Sequence, residues 1–327
     1  MVLPSHLWIM TDGRAGNVAQ ARGLGQALAR LSDLEIQEKT VTLQRWAQVV
    51  PPGLAHQLSG MIPGWPKSAI APGSDWLGPP WPRAVIGAGR RVAPLVATLR
   101  QQRGVSAIQI LDPQMPARAF DALIVPEHDG LTGANVLQTV GAMNRLTPQA
   151  IASAWQDWPS ADHHLTQPRL AVLVGGPSGS ARFSADDGQK LLRALEVLAE
   201  DFSLIITTSR RTDTALASQI SRRLGGRALV WTGEADGPNP YPAMLHQAAA
   251  VLVTEDSVNM ASEAASTGTP VHVFTIEHIA PKFRRFHDTL ADRGASRRFR
   301  GVIEHWTYQP LAEADRIAEE VLRRGLI

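Results

Sequence analysis

Cysteine is absent from the 327 residues, which excludes disulfides, thiolate metal ligands and a cysteine nucleophile. Neither charge sign is in excess: 32 Lys and Arg face 30 Asp and Glu, and a net charge of +2 gives no reason to expect a nucleic-acid partner. Long apolar runs are missing too, and none approaches the roughly 20 residues that span a bilayer. The chain enters a strand-like run, His6 to Thr11, without a charged leader, an apolar signal core or a small-residue cleavage site, so the expected address is cytoplasmic. Internal repeats and low-complexity tracts are also lacking. What remains is an ordinary globular composition, 44% hydrophobic and 19% charged, over a length that suits two cores.

Strand-like and helix-like patterns alternate along the chain, which predicts parallel α/β sheets. In the first half, strands are expected at His6 to Thr11, Leu34 to Val41, Arg83 to Gly87, Ser106 to Leu111 and Asp121 to Val125. Helices are expected at Asn17 to Leu31 and Arg91 to Arg103. The stretch from Ile151 to Pro168, with Trp155, Trp158 and the His163-His164 pair, breaks this rhythm and is expected to hold the domain boundary. The rhythm resumes with a strand at Arg169 to Val174 and a helix from about Ser184 to Asp201. A strand at Phe202 to Thr208, a helix at Asp213 to Leu224, a strand at Arg227 to Trp231 and a helix at Tyr241 to Ala249 follow. A last helical stripe covers Leu311 to Arg324. The expected division is residues 1–160, a linker at 161–168, residues 169–308, and a final helix within 309–327.

The run from Ala250 to Phe274 carries the most chemistry. It reads as a buried strand, a polar loop, a short helix stopped at Gly268, and a second buried strand. Ser257 and Asn259 fall at the helix start, where free N–H groups suit an anion such as a diphosphate. Glu263, one turn further, is placed to accept hydrogen bonds from a ribose diol, so the module looks like a nucleotide-sugar site. Other polar loops follow predicted strands, the position where open α/β sheets bind ligands. Gly175, Gly176 and Ser178 form one that resembles a phosphate cradle yet lacks a Walker ending; a plain turn is the alternative. Ser209, Arg210 and Arg211 form another, able to pair with a diphosphate or simply to meet solvent. Trp231 and Gly233 end the strand before the module, where the indole either stacks on a base or closes the core. In the first half, Asp12, Gly13, Arg14 and Asn17 join the first strand to the first helix, and Glu127, His128 and Asp129 crowd a later loop.

The module from Glu263 to Val271 resembles the donor-binding half of GT-B glycosyltransferases, including the lipid-intermediate N-acetylglucosaminyltransferases. The wider chain is similar to the family of glycosyltransferase-like proteins named after the plant mitochondrial-fission factor "elongated mitochondria". The residues carrying this are Trp8 to Asn17, Gly89 to Arg91, Gln109 to Pro113, Pro126 to Asp129, Gly175 to Ser178, Thr207 to Arg211, Asn239 to Tyr241, and the module itself. The resemblance implies two doubly wound Rossmann-like domains facing each other across a cleft, with the C-terminal helix crossing back onto the first. It implies a nucleoside diphosphate sugar as donor, no cofactor and no bound metal. Asp12 or His128 is then the base that deprotonates the acceptor hydroxyl, with Gly13, Arg14, Asn17, Glu127 and Asp129 on the acceptor side. For Asp12 the alternative is a helix-capping role. Glu255 and Glu263 enclose seven residues, as in retaining members, but Glu255 follows its strand directly, so inversion is favoured.

Four of the nine tryptophans, Trp46, Trp65, Trp76 and Trp81, share a proline-rich span with Arg45, Lys67 and Arg83. Indole rings among cations suit a membrane interface, which points to a lipid or lipid-linked acceptor met at the inner face of the membrane; the alternative is a loop pinned to the core by its tryptophans. Two further functions stay open: a non-catalytic adaptor that keeps a vestigial nucleotide pocket, and a sugar-nucleotide epimerase.

Overall fold

A computed structural model describes residues 6–158, 168–246 and 248–327; the His163-His164 pair and all of the expected linker except Pro168 lie outside these. Contacts divide the chain into one unit of Met1–Arg145 with Ala312–Ile327, and a second of Leu146–Leu311.

In the first unit, apolar runs become strands buried on both faces, the signature of a parallel sheet covered by helices. The elements are β1 (His6–Thr11), α1 (Ala15–Leu31), β2 (Glu35–Thr40), α2 (Arg45–Val49), α3 (Pro52–Gln57), β3 (Ala84–Ala88), α4 (Ala93–Arg103), β4 (Ser106–Ile110), β5 (Ala122–Pro126) and β6 (Val136–Thr139). The strands pair in parallel in the order β2-β1-β3-β4-β5-β6. Side chains alternate across β1: Leu7 and Ile9 join a core with Leu24 and Leu28 of α1, whereas Trp8 and Met10 join another with Leu95 and Leu99 of α4. The first of these cores also contains Ile317, Ala318 and Val321, which arrive from the far end of the chain.

The second unit contains α5 (Pro148–Gln156), β7 (Arg169–Val174), β8 (Ala181–Arg182), α6 (Ala185–Asp201), β9 (Ser203–Thr208), α7 (Thr214–Leu224) and β10 (Ala228–Trp231). It continues with α8 (Tyr241–Met244), β11 (Ala250–Thr254), α9 (Val258–Ala265), β12 (Val271–Phe274), β13 (His278–Ile279), α10 (Pro281–Asp292) and β14 (Ser296–Arg298). Six parallel strands run in the order β10-β9-β7-β11-β12-β14, and β8 pairs with β13 apart from them. The closing helix α11 (Glu313–Arg323) belongs to the first unit, where the buried Glu313 carboxylate accepts the Val140 N–H at 3.0 Å and an Arg316 N–H at 2.7 Å.

Three segments differ from the expected pattern. The helix expected from Tyr241 to Ala249 stops at Met244, because Ala249 already donates to the Arg169 carbonyl as the chain enters β11. Helix α5 occupies the start of the stretch in which no element was expected. Thr147 caps it, and the Arg169 guanidinium lies 4.3 Å from the Trp155 ring, fastening it to the second unit. The short β14, two of whose three residues are exposed arginines, carries too little apolar pattern to read as a strand. Among the described residues no helix is long and apolar enough to cross a membrane.

In each sheet the strand order reverses once, and ligands of open α/β sheets bind at the carboxyl ends of the strands there. That point lies between β1 and β3 in the first unit and between β7 and β11 in the second.

Candidate functional site

In the first unit Asp12 leaves β1 at the reversal point. Its carboxylate is almost wholly buried, accepts an N–H from the Asn17 side chain at 3.0 Å, and lies 3.4 Å from the Arg14 Nε. Asn17 in turn fills the space beside Gly89, the residue that follows β3: a Cβ there would sit 2.4 Å from the Asn17 Nδ2, and φ at Gly89 is +86°. The positive φ is what calls for glycine at this position. The tip residues Gly13 and Arg14 are exposed.

Glu127, His128 and Asp129 form a single helical turn after β5, with His128 buried and its Nε2 3.9 Å from the Asp129 Oδ1, and Glu127 exposed. This cluster shares an edge with Asp12 but stands three strand spacings away, about 14 Å at ~4.8 Å per spacing. Asp12 and His128 therefore form no dyad.

The reversal point of the second unit is built around a residue to which the sequence assigned no role, Asp256. Only 2% exposed, it accepts the Gly176 N–H at 2.8 Å, the Thr254 hydroxyl at 2.7 Å and an Arg211 N–H at 3.1 Å. Burial pushes its carboxyl above the ordinary aspartate range, and these three donors pull it back. Thr254 also accepts the Gly175 N–H at 2.8 Å, and Arg211 donates to the carbonyls of Gly176 and Pro177 at 2.5 and 3.2 Å. A Cβ on Gly175 would lie 2.1 Å from the Asp256 carboxylate, and one on Gly176 would lie 2.1 Å from the Arg211 carbonyl. The glycine loop is thus a close-packed junction in which the Gly175 and Gly176 N–H groups are used internally. Ser209 accepts the Arg211 N–H at 3.1 Å, so the same junction orders the loop after β9, while Arg210 and Ser178 face solvent. The available signal for Asp256 was a run of polar residues directly after a fully apolar strand.

Beside this junction Ser257 caps α9, accepting the Met260 N–H at 3.3 Å. Asn259 and Glu263 are half-buried on α9, and the buried Tyr241 hydroxyl donates to the Glu263 carboxylate at 2.5 Å. Burial and the Glu263 charge hold the Tyr241 hydroxyl well above its ordinary pKa, so it stays a donor. Glu255 points elsewhere: 4% exposed, it accepts the Ile276 N–H at 3.0 Å. Trp231 lies half-buried at the end of the edge strand β10 and donates to the Gly237 carbonyl at 3.1 Å, with Gly233 in the following turn.

The tryptophan cluster splits. Trp65 donates to the Thr98 hydroxyl at 2.8 Å and Trp81 lies 5.9 Å from Trp8, so these two fasten the proline-rich span to the sheet. Trp46 and Trp76 are 40% and 64% exposed. Trp65, Trp76 and Trp81 together line a cavity of about 630 Å³.

A family model described as mitochondrial fission ELM1 matches residues 15–325. The mitochondrial fission protein ELM1 of Arabidopsis thaliana is 32% identical over 280 residues, covering 75% of this chain; the chain spans 65% of that relative's length. Among solved structures, the UDP-GlcNAc 2-epimerase of Methanocaldococcus jannaschii in complex with UDP-GlcNAc and UDP aligns with a TM-score of 0.52 at 11% identity, covering 97% of this chain and 99% of that one. The glycotransferase of kitacinnamycin aligns with a TM-score of 0.51 at 13% identity, covering 98% and 91%. These likenesses establish a GT-B-type α/β fold and nothing finer. On the family model, which spans nearly the whole chain, and on the plant relative, the chain belongs to the mitochondrial fission ELM1 family.

Proposed function

We propose that this protein is a metal-independent glycosyltransferase that takes a sugar from a nucleoside diphosphate sugar. The observation carrying this reading is the Glu263 carboxylate, half-buried one turn inside a Ser257-capped helix and oriented by Tyr241 at 2.5 Å. A carboxylate so held suits a ribose diol, and Asn259 with the N-terminus of α9 suits the diphosphate. Both arginines of the pair are exposed, but Arg211 is engaged by Asp256 and by the Gly176 and Pro177 carbonyls, so Arg210 serves the diphosphate while Arg211 orders the loop. Trp231 offers its face to the base. Asp12 deprotonates the acceptor, with Asn17 holding its carboxylate. The transfer inverts the sugar; the burial of Glu255, whose carboxylate accepts the Ile276 N–H, supports this over the retaining pattern. The acceptor is lipid-borne and is met at the cytoplasmic face of a membrane through Trp46 and Trp76; their exposure supports this.

Calorimetric titration with a panel of nucleoside diphosphates and their sugars tests the donor half. Saturable binding that falls at least about tenfold in Glu263→Ala is expected. Absence of binding across the panel would leave the adaptor reading, which the family name supports. Turnover of a donor sugar to its epimer without acceptor would leave the epimerase reading, which the fold shared with the Methanocaldococcus enzyme supports.

A further inference from the structure

On the α4 side of the first sheet, the proline-rich span is fastened at both ends and leaves a gap between itself and the helix. Trp65 donates to Thr98 of α4, and Trp81 packs on Trp8 of β1. Towards β2, the Ala71 N–H donates to the Thr42 carbonyl at 2.8 Å, the Ser74 hydroxyl accepts the Thr42 N–H at 3.0 Å, and the Asp75 carboxylate accepts the Thr40 N–H at 2.6 Å. The gap between the span and the last turns of α4 is the cavity of about 630 Å³. That volume is ordinary for a small-molecule site, and walls already held by hydrogen bonds spare a ligand the cost of ordering them.

The wall is mainly apolar and rigid. The indoles of Trp65, Trp76 and Trp81 supply flat surface, and Ile70, Leu77 and Leu99 fill in beside them. Its charged groups are Lys67, Arg103 and Asp75, so the balance is positive. Both cations are exposed and sit over indoles: the Arg103 Cζ lies 4.7 Å from the Trp81 ring centre, and the Lys67 Nζ lies 5.7 Å from that of Trp76. Neither makes a hydrogen bond or an ion pair with another described residue. A guanidinium resting on a ring keeps its N–H fork free for a carboxylate, and the ring contact has already restricted its side chain. Exposed cations hold a bare anion weakly, so the ligand needs a body that the indoles can grip. A carboxylate conjugated to an aromatic ring lies in the plane of that ring, and one flat molecule can then meet the indoles with its faces and Arg103 with its edge. A flexible acyl chain would lose rotamer freedom in the same place.

We propose that this cavity binds a small aromatic carboxylate, with the ring system against the indoles of Trp76 and Trp81 and the carboxylate paired with Arg103, Lys67 adding to the positive field. No residue of the wall belongs to the donor site or holds Asp12, so this is a second ligand site that stands apart from the transferase reading.

The test is calorimetric titration of the full chain with 2-naphthoate, which has both ring and charge, with 2-naphthol, which lacks the carboxylate, and with hexanoate, which lacks the ring. Wild type is expected to bind 2-naphthoate at least about tenfold more tightly than either of the others. Arg103→Gln and Trp76→Ala, both at exposed positions, are each expected to weaken 2-naphthoate about tenfold, and Lys67→Gln about threefold. Met61→Ser, on exposed apolar surface outside the cavity, is expected to change nothing. Equal binding of 2-naphthol would reduce the cavity to a greasy surface, and equal binding of hexanoate would remove the role of the flat ring. Indifference to Arg103→Gln, or an equal loss in Met61→Ser, would place the ligand elsewhere; each of these results overturns the proposal. Because the two sites share no residue, failure of the nucleotide titration leaves this site standing, and failure of the naphthoate titration leaves the donor site standing.

Discussion

Asp256 shows how a residue can be decisive and yet silent in the sequence. Thr254 ends β11 two residues before it, but Gly176 and Arg211 come from the loops after β7 and β9, and only the pairing of β7 with β9 and β11 brings those two to it. Removing one partner of such a buried pair leaves the rest uncompensated, so Asp256→Ala is expected to cost about 3 kcal/mol in urea unfolding, and Asp256→Asn clearly less. Glu255 gives a pH-dependent counterpart. Burial raises its carboxyl above the ordinary glutamate value of 4.5, against the pull of the Ile276 N–H and of Arg284 and Arg298. The folded state therefore binds the proton more tightly than the unfolded chain. The Glu255 contribution to stability falls as pH rises from 4.5 through the raised value and is least favourable above it. Glu255→Gln, which keeps an acceptor for Ile276, is expected to melt no lower than wild type at pH 7, with any gain shrinking as pH falls towards 4.5; a thermal melt series over that range reads this directly.

At the level of elements, the parallel strands were legible because a strand buried on both faces is an unbroken apolar run with sharp polar ends, as Ala250–Thr254 shows. Helix α5 and strand β14 were not, since the first is fastened by Arg169 from another element and the second borrows its pairing from β12. Helix α11 was visible as a stripe, but its anchor was not. Glu313 looks like a first-turn acid favoured by the helix dipole, and in the fold it is 8% exposed and accepts the Val140 N–H. Glu313→Ala leaves that N–H and Arg316 without their acceptor and is expected to cost about 2 kcal/mol. Hydrogen exchange should rise in α11 and β6 and change little in β7 and β11, which separates this effect from a general loss of stability.

For the whole molecule, the chain leaves its first unit at Arg145 and returns to it at Ala312, so the second unit is continuous in sequence while the first is not. A fragment of residues 146–311 contains its whole core and is expected to unfold cooperatively by itself. Residues 1–145 lack Ile317, Ala318 and Val321 from their core and are expected to show no cooperative transition until a peptide of residues 312–327 is added. Circular dichroism melts of both fragments check this. The sequence by itself determined the α/β class, the alternation of elements, the polar loops at the strand ends and the family, because apolar periodicity and loop chemistry are local properties of the chain. Only the tertiary structure decided that Gly175 and Gly176 are packing glycines, that Arg211 pairs with Asp256, that Asp12 and His128 stand apart, and that Trp65 and Trp81 are anchors while Trp46 and Trp76 are exposed. Each of these depends on which strand lies beside which and on the side chain that arrives from it, and no stretch of sequence contains its own neighbours.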